Sequence, residues 1–143
     1  MTTSSMSTTT TNKEEIFIAR EQDVVPLRNR VKDYALAVGM SILNQTKLIT
    51  ATSELVRNLL KYGGGGRVLI ESVVSGRDNG VRVTFIDNGP GIADVSLAMK
   101  DGYSTGKSLG LGLPGTKRLV NEFDIKSEPG KGTTVMITKW KNG

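Results

Sequence analysis

The chain has 143 residues, short for more than one domain, with 37% apolar residues and neither cysteine nor histidine. Those two absences exclude disulfides, thiol nucleophiles, Cys/His zinc sites, Ser-His-Asp triads and autophosphorylation on histidine. Basic residues outnumber acidic ones by 19 to 14, unevenly: residues 13–99 carry 11 basic and 10 acidic side chains, residues 100–143 carry 8 and 4. Singly spaced cations of this kind suit a small anionic ligand and do not predict a nucleic-acid partner. The longest apolar run, Tyr34 to Val38, is far short of the ~20 residues of a membrane helix, so no membrane partner is expected. A chain without cysteine fits a reducing, cytoplasmic setting.

Residues 1–12 are nearly all Thr and Ser, without the basic and apolar regions of a signal peptide. They read as a disordered leader, and residues 13–143 as one domain. Glu15 to Arg20 predicts a short strand. Asp23 caps a predicted helix to about Val38, with Pro26 tolerated in its first turn and Val24, Leu27, Val31 and Tyr34 or Ala35 at helical spacing. A second helix runs from Ser41 to about Tyr62, its buried stripe formed by Leu48, Thr52, Leu55, Val56, Leu59 and Leu60. Glu54, Asn58 and Lys61 fall within about 60° of one another, on the face opposite that stripe. The glycine run at 63–66 ends this helix.

Two alternating segments, Arg67–Val74 and Val81–Ile86, predict strands joined by a turn over 75–80. A glycine loop, Asp87-Asn-Gly89-Pro-Gly91, follows. A short helix is predicted from Asp94 to Lys100, then a glycine-rich segment from Gly102 to Gly115 and a helix over Gly115–Phe123. A final hairpin joins Asp124–Glu128 to Thr133–Trp140. This order does not alternate like a doubly wound fold. It predicts an α+β, two-layer α/β sandwich, with a mixed sheet and helices on one face.

Glycine makes up 17 of the residues, and seven of these lie in the 27 positions from 89 to 115. Gly102-Tyr-Ser-Thr-Gly106-Lys107-Ser108 is one residue short of a Walker A loop, and no strand precedes it. Gly110-Leu111-Gly112-Leu113-Pro-Gly115 matches a dinucleotide fingerprint by letter but likewise lacks the preceding strand. A glycine segment opening into a helix can bring backbone amides close to phosphates, though glycine serves a surface loop equally well. Asp87, ending an apolar strand, could accept hydrogen bonds from an exocyclic amine and a water, or be an ordinary turn residue. Glu54 and Asn58, one helical turn apart, could be a solvated pair. Equally, Asn can ligate Mg²⁺ and Glu can take a proton from a hydroxyl.

The order of these motifs adds what each lacks alone. Glu54-Leu-Val-Arg57-Asn58, Asp87-Asn-Gly89-Pro-Gly91, Gly106-Lys107-Ser-Leu-Gly110-Leu111-Gly112-Leu113 and Gly132-Thr133-Thr134 resemble, in sequence, the four motifs of the GHKL ATP-binding family. The stretch from about residue 15 to 140 is similar to one branch of it, the bacterial serine kinases that phosphorylate STAS-domain antagonists. The resemblance implies the GHKL (Bergerat) fold, ATP and Mg²⁺ as cofactors, and a role for each residue. Asp87 would accept the adenine amine, with Thr133 helping through water. Gly89 and Gly91 would let the backbone close around the base. Asn58 would hold Mg²⁺ and Glu54 would be the catalytic base. The amides of Gly110 and Gly112, at the start of the last helix, would cradle the phosphates, with Lys107 adding charge there, and Gly106, Leu111 and Leu113 would also contact the cofactor. The implied partners are a STAS-domain protein, as substrate and scaffold, and a PP2C-type phosphatase that the released kinase activates in a stress or regulatory switch. Homodimer formation stays open. An anti-sigma factor with serine kinase activity is the alternative from the same branch, and a detached histidine-kinase catalytic domain a further one.

Overall fold

The computed structural model describes residues 7–87, 89 and 113–143. The predicted helix over 94–100 lies outside the described residues. The elements run β1 (Thr8–Ile18), a 3-10 turn (Glu21–Asp23), α1 (Val24–Ala37), α2 (Ile42–Gly63), β2 (Gly66–Ser75), β3 (Asp78–Asp87), α3 (Leu113–Leu119), β4 (Glu122–Glu128) and β5 (Gly132–Trp140). The strands form one five-stranded sheet in the order β1-β2-β3-β5-β4. All four described pairings are antiparallel, so the parallel component of the expected mixed sheet is not among them.

One face of the sheet carries the core. Val68 and Ile70 of β2 stand across from Phe85 and Val83 of β3, and these across from Val135 and Ile137 of β5. All six are buried against Leu27 and Val31 of α1 and Leu48, Leu55, Val56 and Leu59 of α2. The two-layer α+β arrangement is therefore the expected one, with the helices burying the alternate residues that the pleat turns toward them. No described helix is long and apolar enough to cross a membrane.

Three expectations change. The leader was expected to be disordered through residue 12, but β1 begins at Thr8 and pairs with β2 from Thr8↔Ser75 onward, with a register break between Thr10 and Asn12. Threonine is a good strand former once a neighbouring strand supplies its hydrogen bonds, and the Thr10 hydroxyl adds a 2.7 Å bond to Glu71. The helix expected to reach Phe123 stops at Leu119. Phe123 instead stands on β4 opposite Ile137, where its ring packs on the core. Asp23 does not cap α1 through its side chain. Its carboxylate reaches back to accept N–H bonds from Ala19 (2.8 Å) and Arg20 (3.1 Å), which hold it below the usual carboxylate range.

Helix α2 follows its local signals closely. Ser41 caps it, accepting the N–H of Asn44 at 3.2 Å, and Gly64 ends it in the left-handed region at φ 72°. Only glycine takes that conformation without steric cost. Near the capped end, Asn44 donates to the Lys141 carbonyl at 3.1 Å, pinning the start of α2 to the end of β5. There the register turns Lys139 toward the core opposite Val81, leaving it 3% exposed. Burial, aided by the charge of Lys47, pushes its ammonium below the usual lysine value.

A lysine that titrates lower when folded makes the unfolded state the better proton binder between its two pKa values, so stability rises with pH across that window. Lys139→Met should raise stability at pH 7 by on the order of 1 kcal/mol, by removing the buried charge. Thermal melts from pH 7 to 10.5 test this: the advantage of the variant should shrink as the wild-type lysine loses its proton.

Candidate functional site: a carboxylate at the end of an apolar pocket

The pocket lies where the C-terminal half of α2 crosses the ends of β3 and β5. Leu55, Leu59, Phe85, Leu113, Ile125 and Val135 form its walls, and Asn58, Tyr62, Asp87 and Thr133 bring polar groups to it. Four residues expected to serve a ligand, Asn58, Asp87, Leu113 and Thr133, thus meet at one place.

Asp87 is held from three sides. Its Oδ1 accepts the N–H of Gly89 at 2.8 Å and the N–H of Thr133 at 3.2 Å. A Cβ on Gly63 would stand 2.6 Å from Asp87 Cγ and 2.8 Å from Oδ2, so the carboxylate can lie here only because residue 63 has no side chain. A Cβ on Gly89 would in turn meet the Gly63 backbone at 2.8 Å. With Oδ1 occupied by two backbone donors, Oδ2 is the oxygen left to receive a ligand donor. The Thr133 hydroxyl lies 2.7 Å from that of Ser127, and Ser127 Oγ donates to the Gly132 carbonyl at 3.1 Å. Ser127 therefore accepts the Thr133 proton, which leaves the lone pairs of Thr133 for other donors.

Asn58 and Glu54 sit one turn apart on α2, but Asn58 is not on the solvated face expected for it. Asn58 is half-buried and lines the pocket beside Leu55 and Leu59. At helical spacing it lies only about 60° from Leu55, so the edge of the buried stripe carries it into the site. Glu54 stays at the rim, 41% exposed, with Arg57 at 3.8 Å from its carboxylate. Gly89 is placed as described. Gly91, Gly106, Lys107, Gly110, Leu111 and Gly112 lie outside the described residues.

Sequence reasoning missed Tyr62, Gly63 and Ser127. Tyr62 lines the pocket and its hydroxyl is buried without a hydrogen-bond partner among the described residues, while the Lys61 ammonium lies 5.4 Å from its ring centroid. Its position four residues after Asn58 was the available signal. Gly63 was read only as a helix stop, although it also admits the carboxylate. An apolar slot closed at one end by a fixed carboxylate oxygen fits a flat heteroaromatic ring bearing an exocyclic amine.

A model of the family described as histidine kinase-, DNA gyrase B- and HSP90-like ATPases matches residues 43–142. The chain belongs to that family. Within it, the chain is 41% identical to the serine/threonine-protein kinase RsbT of Bacillus subtilis over 86% of its own length and 92% of that protein's. It is 31% identical to the anti-sigma F factor of a Thermoanaerobacter species, over 91% of this chain and 94% of that one. A crystal structure of the RsbU and RsbW domains of a Mycobacterium tuberculosis protein shares the fold, with a TM-score of 0.61 at 21% identity. The match covers 90% of this chain and 32% of that one. The chain is an enzyme of the kinase class within an ATP-binding family.

Asp87→Asn tests the carboxylate directly. The amide oxygen can keep both backbone N–H bonds, which leaves an NH₂ facing a ligand NH₂ where Oδ2 stood. A lost bond to a charged group costs roughly 1.5–3 kcal/mol, so ATP affinity should fall on the order of 10- to 100-fold. Calorimetric titration with a non-hydrolysable ATP analogue measures it; unchanged affinity would remove Asp87 from the base-binding site.

Proposed function

We propose that the chain transfers the γ-phosphoryl group of Mg-ATP to a serine of a STAS-domain antagonist or scaffold protein. In this reading the kinase, once released by that phosphorylation, binds and activates a PP2C-type phosphatase in a bacterial stress or regulatory switch in the cytoplasm. The observation that carries the reading is the Asp87 pocket, with Asn58 in its wall and Glu54 one helical turn further out on the same helix.

Asp87 Oδ2 receives the adenine amine, and the apolar walls take the two faces of the ring. Thr133, with its proton turned toward Ser127, accepts from a water at the base edge. The donor set fits Mg²⁺: Asn58 supplies a neutral amide oxygen at the pocket wall, and this ion keeps most of its shell as waters and phosphate oxygens. When bound, it neutralises phosphate charge. Glu54 lies about 6 Å along the helix axis from Asn58 and is open enough to meet a protein acceptor. It takes the proton of the serine hydroxyl as the serine oxygen bonds to the γ-phosphorus, and the bond to the β–γ bridging oxygen breaks to release ADP. Arg57, 3.8 Å away, holds the Glu54 carboxylate on this rim. The resemblance assigns the phosphate cradle to the amides of Gly110 and Gly112, with Lys107 adding charge, and further cofactor contacts to Gly106 and Leu111.

Likeness to anti-sigma F factors supports a second reading, in which the chain also sequesters a sigma factor. The two part on their protein partner: phosphate transfer to a serine with no stable sigma complex favours the switch kinase.

Glu54→Gln should keep nucleotide affinity within about twofold and slow transfer by roughly 10²–10⁴-fold, the range of a positioned general base. Phosphate transfer to a purified STAS-domain protein, followed by mass spectrometry of the acceptor, checks both. Steady turnover in the variant would place the base elsewhere.

A further inference from the structure

A larger concavity lies along the outer side of the helical layer, between α1 and α2. It measures ≈ 640 Å³ and is lined by Arg28 and Lys32 of α1, Leu36 near the end of α1, and Ile42, Ile49 and Thr50 of α2 among others. Its apolar parts are open: Leu36 is 54% exposed and Ile42 80%. Two polar residues at its floor are turned to their own backbone, Thr46 donating to the Ile42 carbonyl at 2.9 Å and Gln45 to that of Met40 at 2.8 Å.

The charged lining residues are both cations. Arg28 and Lys32 have no ion pair with any described carboxylate, and Arg28 Nε is buried without a hydrogen-bond partner among the described residues. Arg30, between them in sequence but on another face of α1, is fully engaged, at 2.6 Å from Glu14 and 2.7 Å from Asp33. A guanidinium presents its N–H donors as a planar fork that matches a carboxylate, so the complement of this cationic lining is an acidic partner.

The groove also has a direction. Ile42, Thr46, Thr50 and Glu54 follow at four-residue intervals on α2, a ridge that turns about 40° about the axis at each step, and Glu54 is the next step beyond the groove's end. The distance along the axis from Ile42 to Glu54 is about 18 Å, a little over three helical turns.

We propose that this groove docks an acidic amphipathic helix of a protein partner. Its apolar side lies on Leu36, Ile42 and Ile49, and its carboxylates lie against Arg28 and Lys32. Charge complementarity commits the groove to this occupant. Resting on the kinase reading above, the partner is the phosphoryl acceptor, held so that a residue just beyond the docked helix reaches Glu54. Helix-in-groove recognition of this kind uses apolar anchors at helical spacing for affinity and flanking charge for register.

The test uses the full chain, labelled with ¹⁵N, and two synthetic helical peptides with the same leucine stripe. One is flanked by glutamates, the other by lysines. The glutamate peptide should shift amide resonances of groove residues on α1 and α2, and bind at least roughly tenfold more tightly than the lysine peptide. The double variant Arg28→Glu/Lys32→Glu should reverse that preference. Ile42→Ala, at an exposed site that leaves the fold intact, should weaken the glutamate peptide several-fold while circular dichroism stays unchanged. Equal binding of both peptides, or shifts confined to other surfaces, would overturn the proposal. Concentration-dependent shifts of the groove without peptide would also overturn it, assigning the face to a second copy of the chain. Binding of a fluorescent ATP analogue is measured on the same samples. Its failure would sink the nucleotide reading of the Asp87 pocket and leave the peptide result to stand by itself.

Discussion

The position of one carboxylate organises this molecule. Asp87 is the last residue of β3, yet β3 alone does not place it. Its Oδ1 is fixed by the amides of Gly89 and Thr133, one from the following loop and one from β5, and its flank rests on Gly63 at the end of α2. Three elements distant in sequence must therefore arrive together before Oδ2 faces the pocket. The sheet register sets two of them, since Gly66↔Asp87 and Ile86↔Thr134 are paired positions. The length of α2 sets the third. A site built this way is preorganised, because the carboxylate has already exchanged half its water for fixed dipoles before any ligand arrives.

Helix α2 is the other organising element, and its two ends do different work. The Ser41 cap and the Asn44 bond to β5 anchor one end. The left-handed Gly64 releases the other, so that β2 can begin two residues later. Its twenty-two residues pack Leu48, Ala51, Leu55, Val56 and Leu59 on the sheet, which orients everything else on the helix. A stripe buried this deeply fixes the rotation of the helix about its axis. Asn58 consequently points to the pocket wall and Glu54 to its rim with no further device.

Much of this was legible in the chain because local signals and tertiary packing agree. The element order, the strand alternation over 67–74 and 81–86, the α2 cap and the role of Asp87 as a strand-end carboxylate all rest on periodicity or on a residue's own chemistry. The misses share a physical cause: each depends on a neighbour that is remote in sequence. Thr8 to Asn12 look like a polar leader until β2 offers its edge. Phe123 fits a helical stripe until pairing with β5 claims it. Asn58 looks solvated when the helix is drawn as two opposed faces, but the buried stripe is wide enough to carry its edge into the pocket. Gly63 reads as punctuation because nothing in one strand of text shows that a carboxylate must pass where a Cβ would stand.

In the proposed reading, nucleotide and protein are recognised at two separate stretches of a single helix. The pocket end of α2 contributes Leu55, Asn58, Leu59 and Tyr62, and the groove end Ile42, Gln45, Thr46, Ile49 and Thr50, with no residue in common. Glu54 lies between the two sets and lines neither. A residue so placed is tied to both sites only through the geometry of the helix, about 6 Å from Asn58 on one side and from Thr50 on the other. The sequence on either side can then change what is bound, while the spacing of Glu54 from both sets is preserved by the hydrogen-bonded turns of α2. In the proposed reading, the chemistry belongs to the half of α2 that meets the sheet ends, and the choice of protein partner to the half that faces outward with α1.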